Sequence, residues 1–134
     1  MREHPHAINV RAAFAAYARG DFEAMARRFA DDIVWNVGGQ HALSGDYHGR
    51  ENVINHLRET QRLAAGSLRM DVEDVLASDR CGAVIYRVYG NRGGHALDVT
   101  IALAITFDDQ GRWTRRFGLA DDQRAVDEFW GQPA

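Results

Sequence analysis

Two hydrophobic periods run along the chain, and the change from one to the other falls near residue 66. Before it, apolar residues recur at helical spacing. In "AINVRAAFAAYAR" (7–19), Ile8, Ala12, Ala16 and Arg19 mark one row, with Ala13, Phe14 and Tyr17 on the adjoining face. Gly20 supplies a stop, and Asp21 an N-cap for a second helix. There Phe22, Met25, Ala26 and Phe29 fall at i, i+3, i+4 and i+7. "IVWNV" (33–37) is short and rich in β-branched residues, so it predicts a strand. Residues 50–65 predict a third helix, with Val53, Leu57, Thr60 and Ala64 on one side.

After Gly66 the period is two. "SLRMDVEDVLA" sets Leu68, Met70 and Val72 against Arg69, Asp71 and Glu73, a strand with one wet face. "CGAVIYRVYG" and "HALDVTIALAITF" are two further strands joined through "NRGG", a hairpin turn in which glycine tolerates positive φ. "DDQG" turns into a fifth strand, "RWTRRFGLA". Asp121 or Asp122 then caps a closing helix whose apolar positions are Ala125, Val126, Phe129 and Trp130. Helices segregated from strands predict an α+β domain. A curved antiparallel sheet is wrapped by three N-terminal helices into a cone, with a short C-terminal helix and a pocket on the concave side. One domain accounts for residues 1–134, with residues 1–6 expected to be frayed.

Charge and cysteine content narrow the function classes. A net charge of -3 without a basic block argues against nucleic acid as a partner. No apolar run has the length of a membrane span, and the start lacks a secretory pattern. Cys81 is alone, so no internal disulfide forms and the expected compartment is the cytoplasm. Three of the six histidines (His41, His48 and His56) lie within "HALSGDYHGRENVINHL". Their spacing gives no H-x-x-x-H pair and there is no second cysteine, so no metal is expected. "GNRGG" follows a strand without opening a helix, so it is not a phosphate loop, and no cofactor is expected.

Four stretches together cover nearly the whole chain: "FAAYARGDFEAMARRFADDIVWNV", "LSGDYHGRENV", "ITFDDQGRWTRRF" and "DDQRAVDEFW". They resemble the aromatic first helix, the entry to the first strand, the glycine-bearing loop and the tail of the nuclear transport factor 2-like superfamily, in particular its SnoaL-like branch. The resemblance implies the cone-shaped fold. Its chemistry is broad, spanning isomerases, cyclases, epoxide hydrolases, dehydratases and modules that only bind. Where ketosteroid-isomerase-like relatives carry a tyrosine and two acids, this chain has Ala13, Val37 and Leu103. The epoxide-hydrolase positions fall on Trp35, Val37 and Gly118. None of these can abstract a proton.

Strand alternation together with the resemblance turns Trp35, Val37, Val84, Tyr86, Val88, Val99, Ile101, Leu103, Ile105, Arg116 and Gly118 inward. Helices add Ala13, Tyr17, His56 and Leu57. Such a cavity suits a small apolar or aromatic ligand. His56 stands where relatives place phenylalanine; it is either a proton shuttle or a helix-surface imidazole. Arg116 either anchors a carboxylate or enolate, or pairs with Asp98 or Asp121. Tyr86 offers a hydroxyl. The expectation is a small-molecule enzyme of SnoaL-like type, independent of cofactors, performing cyclase, isomerase or dehydratase chemistry on an apolar, polyketide-like substrate. His56 would be the acid/base, and Arg116 or Tyr86 the anion stabiliser. The alternatives are a non-catalytic binding module and a homodimer formed through the exposed row Asp98, Thr100, Ala102, Ala104 and Thr106. His41 and His48 are read as loop residues near the mouth.

Overall fold

Both periods survive in three dimensions, as helices and as one six-stranded sheet. A computed structural model describes residues 3–133. In chain order the elements are α1 (Pro5–Ala18), α2 (Phe22–Ala26), β1 (Phe29–Val37), β2 (Gly45–His48), α3 (Arg50–Leu63), β3 (Arg69–Ala77), β4 (Cys81–Arg92), β5 (His95–Phe107), β6 (Trp113–Ala120) and α4 (Gln123–Trp130). The sheet order is β2-β1-β6-β5-β4-β3. No helix among the described residues is long and apolar enough to cross a membrane.

The helices pack on the concave face of the curved sheet, which gives the α+β cone that the sequence predicts. The sheet is mixed: β1 lies parallel to β6, with Trp35 opposite Arg116, while the other pairings are antiparallel. Three register shifts interrupt it, between Phe29 and Val34, between Val72 and Asp74, and between Thr106 and Phe107. The last decides which side chains of β6 face inward. Phe107 pairs with Trp113 whereas Thr106 pairs with Arg115, so the β6 side skips one residue and both Trp113 and Arg116 point to the concave side.

Several boundaries differ from expectation. The helix begins at Pro5, whose fixed φ suits a first turn, and His4 Nδ1 accepts from His6 N at 3.0 Å. Residues 5 and 6 therefore belong to α1 and not to a frayed end; Met1 and Arg2 lie outside the described residues. Phe29 is not on α2 but opens β1, fully buried against Trp113 at 5.4 Å between ring centroids. A large aromatic gains more in that cluster than at the end of a short helix. Ile8 is exposed; the buried face of α1 is Ala7, Val10, Ala13, Ala16 and Tyr17. The loop 38–49 contains an extra strand, β2, which pairs with β1 from Val34↔His48 to Val37↔Gly45.

Closure of the cone comes from α4. Asp122 caps it by accepting from Ala125 N at 3.0 Å, and Phe129 is buried beneath it. The loop after β1 is tied to the same helix: Gln40 N donates to Asp127 Oδ1 at 3.1 Å and Ala42 N to Gly131 O at 3.0 Å. This clasp holds residues 38–44 over the wide end of the sheet.

Candidate functional site

Between helices and sheet lies a cavity of about 150 Å³. Its wall is mostly apolar, with Phe14, Trp35, Met70, Val88, Leu97, Ile101, Leu103 and Trp130 among the lining side chains. An engineered apolar cavity of about that volume holds a benzene ring, so a one-ring body fits. Of the residues the sequence turns inward, Ala13, Tyr17, Trp35, Val37, His56, Leu57, Tyr86, Val88, Ile101, Leu103, Arg116 and Gly118 line it. Val99 does not; it is buried in the core beside the cavity, as are Val84 and Ile105. Their alternation is right, but other side chains stand between them and the space.

The polar lining is small and specific. Tyr17 is a positioning group: Thr60 Oγ1 donates to Leu57 O at 2.6 Å, so the Tyr17 hydroxyl donates to Thr60, also at 2.6 Å. Its proton is committed, and burial pushes its pKa up. Arg116 sends Nη1 to Asn36 O at 2.7 Å and lies over the Trp35 ring, 4.7 Å from its centroid. Its Nε is buried with no protein partner. Neither expected carboxylate reaches it: Asp98 holds Arg87 at 2.8 Å, and Asp121 Oδ1 accepts from Thr100 N at 3.0 Å. The expected pairing of Arg116 with Asp98 or Asp121 is therefore not formed.

His56 is buried on α3, its ring stacked on Tyr47 at 4.1 Å between centroids, and its Nδ1 has no protein partner. Desolvation pulls its pKa from 6.5 to about 4, with Arg116 and His41 acting in the same direction and Glu59 opposing. It is a neutral imidazole at neutral pH. The helix-surface alternative for this residue does not hold.

His41 is the residue the sequence misplaces. It is not a rim residue but is only 3% exposed and lines the cavity. Its Nδ1 accepts from Leu43 N at 3.1 Å, which puts the proton on Nε2, and Nε2 is buried without an acceptor. Desolvation lowers its pKa, opposed by Asp127 and more weakly by the Gly38 backbone. No local pattern marks it; the Ser44 hydroxyl, bridging His41 N and Gly38 O at 3.0 Å each, folds the loop so that the ring turns in. His48, by contrast, is exposed on β2. Trp113 is a second residue the sequence missed, brought to the cavity by the β5–β6 register shift.

The profile of the SnoaL-like domain family matches residues 10–116. The chain belongs to that family. An uncharacterized protein of Mycobacterium tuberculosis is 38% identical over 122 residues, 90% of this chain and 92% of that one. The solved structure of Bal32a, from a soil-derived mobile gene cassette, is similar with a TM-score of 0.90 at 29% identity, covering 94% of this chain and 96% of its own. TerC, co-crystallized with polyporic acid, shares the fold with a TM-score of 0.80 at 18% identity over 94% of this chain and 98% of its own. The SnoaL-like cone is thus present with its cavity, while Ala13, Val37 and Leu103 all line that cavity as apolar residues.

Proposed function

We propose that this SnoaL-like protein is a cofactor-independent enzyme that moves a proton on a small, largely apolar substrate, as the first step of cyclase, isomerase or dehydratase chemistry. The observation that carries the reading is the meeting of a neutral, unpartnered imidazole (His56) with an unpaired guanidinium (Arg116) in one apolar cavity. His56 Nδ1 takes a proton from carbon next to a carbonyl, and the electron pair moves onto the carbonyl oxygen. Arg116, with the Tyr86 hydroxyl beside it, faces the negative charge that develops. A neutral imidazole of low pKa is a weak base in the empty site, but the enolate formed alongside it stabilises the imidazolium, so the two charges arise as a pair. That TerC, of the same fold, was co-crystallized with polyporic acid agrees with an organic ligand in such proteins.

One observation favours a second reading, a module that binds without turnover: the positions at which relatives carry their acids and tyrosine are apolar here. Exchange of the α-protons of 2-indanone in D₂O, followed by NMR, separates the two. The enzyme reading expects exchange above the buffer rate that is lost in both His56→Phe and Arg116→Leu. If the wild-type protein binds 2-indanone without accelerating exchange, the binding module is the correct reading.

We also propose that two copies pair through the outer sheet face, in the reducing cytoplasm where exposed Cys81 stays a thiol. Leu76, Ile85, Phe117 and Leu119 are exposed there. The register puts Ala83 and Ala104 between Leu76 and Phe117, and Ala102 between Ile85 and Leu119. That gives an apolar patch across four strands, of the kind that packs on its own copy.

A further inference from the structure

Most of the cavity's unsatisfied groups share one chemical sign. Among the described residues, six buried side-chain nitrogens have no protein hydrogen-bond partner, and four belong to cavity-lining residues: His41 Nε2, His56 Nδ1, Trp113 Nε1 and Arg116 Nε. Three of these are donors by necessity. An indole and a guanidinium can only donate, and the Leu43 N–H on His41 Nδ1 fixes the imidazole proton at Nε2. No Asp or Glu is among the lining residues. The nearest acids are engaged elsewhere: Asp127 accepts from Gln40 N and Gln123 Nε2, and Glu59 holds Arg62.

Arg116 is half-buried with its Nε enclosed, and a cation so placed without a counter-ion carries a desolvation cost to which unmet buried donors add. Asn36 O, the Trp35 ring and the neighbouring Tyr86 hydroxyl answer only part of this at Arg116. Because Nη1 is taken by Asn36, the Nε edge is the one left open, and that is the edge that receives a carboxylate side-on.

We propose that the ligand of this cavity is a ring-bearing carboxylate, its two oxygens held by the Nε edge of Arg116 with a second donor from His41 Nε2, and its ring among Phe14, Val88, Leu97 and Ile101. The inference rests on the cavity being the ligand site, as in the proposed function, and it adds the sign and class of the ligand. His56, whose Nδ1 can donate or accept, is left free to handle the proton.

Benzoate and its uncharged isostere benzamide test this with the full chain, by titration calorimetry near neutral pH. Benzoate is expected to bind at least about tenfold more tightly than benzamide. The preference should vanish in Arg116→Gln, persist in part in Arg116→Lys, and weaken in His41→Phe. Circular dichroism and thermal melts show whether each variant is folded, and the wild-type comparison needs no variant. If benzamide binds as tightly as benzoate, or if folded Arg116→Gln keeps the preference, the carboxylate assignment is wrong while the cavity remains the ligand site. If neither compound binds at millimolar concentration, both the assignment and the cavity reading fall.

Discussion

Exchanging His56 for phenylalanine tests whether the imidazole is neutral and unpaired in the folded protein. The ring is 7% exposed, with Arg116 on β6 and His41 on the 38–44 loop opposing its charge and Glu59 on its own helix favouring it. Its folded pKa is about 4 against 6.5 for an ordinary histidine. As pH falls through 6.5, the unfolded chain takes up a proton that the folded chain refuses until about 4. Stability is therefore lost across that window, and the gap is worth roughly 3 kcal/mol. Phenylalanine removes the titration and the unpaired Nδ1, keeps a ring for Tyr47 to stack on, and should stabilise the protein at pH 7 by about 1 kcal/mol. Urea unfolding between about pH 7 and pH 4.5 gives both curves. The wild type should fall more steeply than His56→Phe, with the difference approaching the full amount at the acid end. His41 titrates in both proteins, so its own contribution is common to the two curves apart from its repulsion of a charged His56. Parallel curves would show that His56 is paired or solvated, and the site argument would fail with it.

Two further outcomes follow from other parts of the molecule. Leu119→Lys places a charge in the outer apolar patch and should convert a dimer to a monomer in sedimentation at micromolar concentration; a wild-type protein that stays monomeric at high concentration refutes the pairing. Gly39→Ala should cost about 1–2 kcal/mol and speed amide exchange in residues 38–44, since φ is +84° there and a Cβ would run into Gln123 and Asp127; an unchanged melting temperature would show that the clasp between loop and α4 does not constrain the fold.

The fold was legible because period and burial coincide in most elements. Val53, Leu57 and Thr60 lie on the buried side of α3 with Ala64 buried just beyond its end, and the inward rows of β4 and β5 keep strict alternation. What escaped was set by tertiary pairing. Phe29 fits a helical stripe by spacing, yet the aromatic group it forms with Trp35 and Trp113 draws it into β1. β2 exists because β1 offers it an edge, and the four-residue segment has no periodic signal of its own. The shift at Thr106/Phe107 changes which parity of β6 faces inward, so Arg116 could be placed from residues after it but Trp113 could not. His41 was lost for a similar reason. A histidine two residues before Leu43 turns inward only because its own Nδ1 and the Ser44 hydroxyl fold the loop.

The same comparison separates what the family resemblance can carry from what it cannot. The cone and its cavity depend on glycines, turn residues and apolar alternation. The chemistry depends on a few lining positions, and here their sign is reversed. Relatives of the isomerase type line the cavity with acids; this chain puts alanine, valine and leucine there and adds a guanidinium and two histidines. An acid at position 37 would put a carboxylate in the same cavity wall that Arg116 lines, where it could serve that cation as an internal counter-ion. With valine in its place the cation keeps its full charge for a ligand. The departures from the family pattern, which argue against its usual proton abstraction by a carboxylate, are therefore the same residues that give this cavity its demand for an anion.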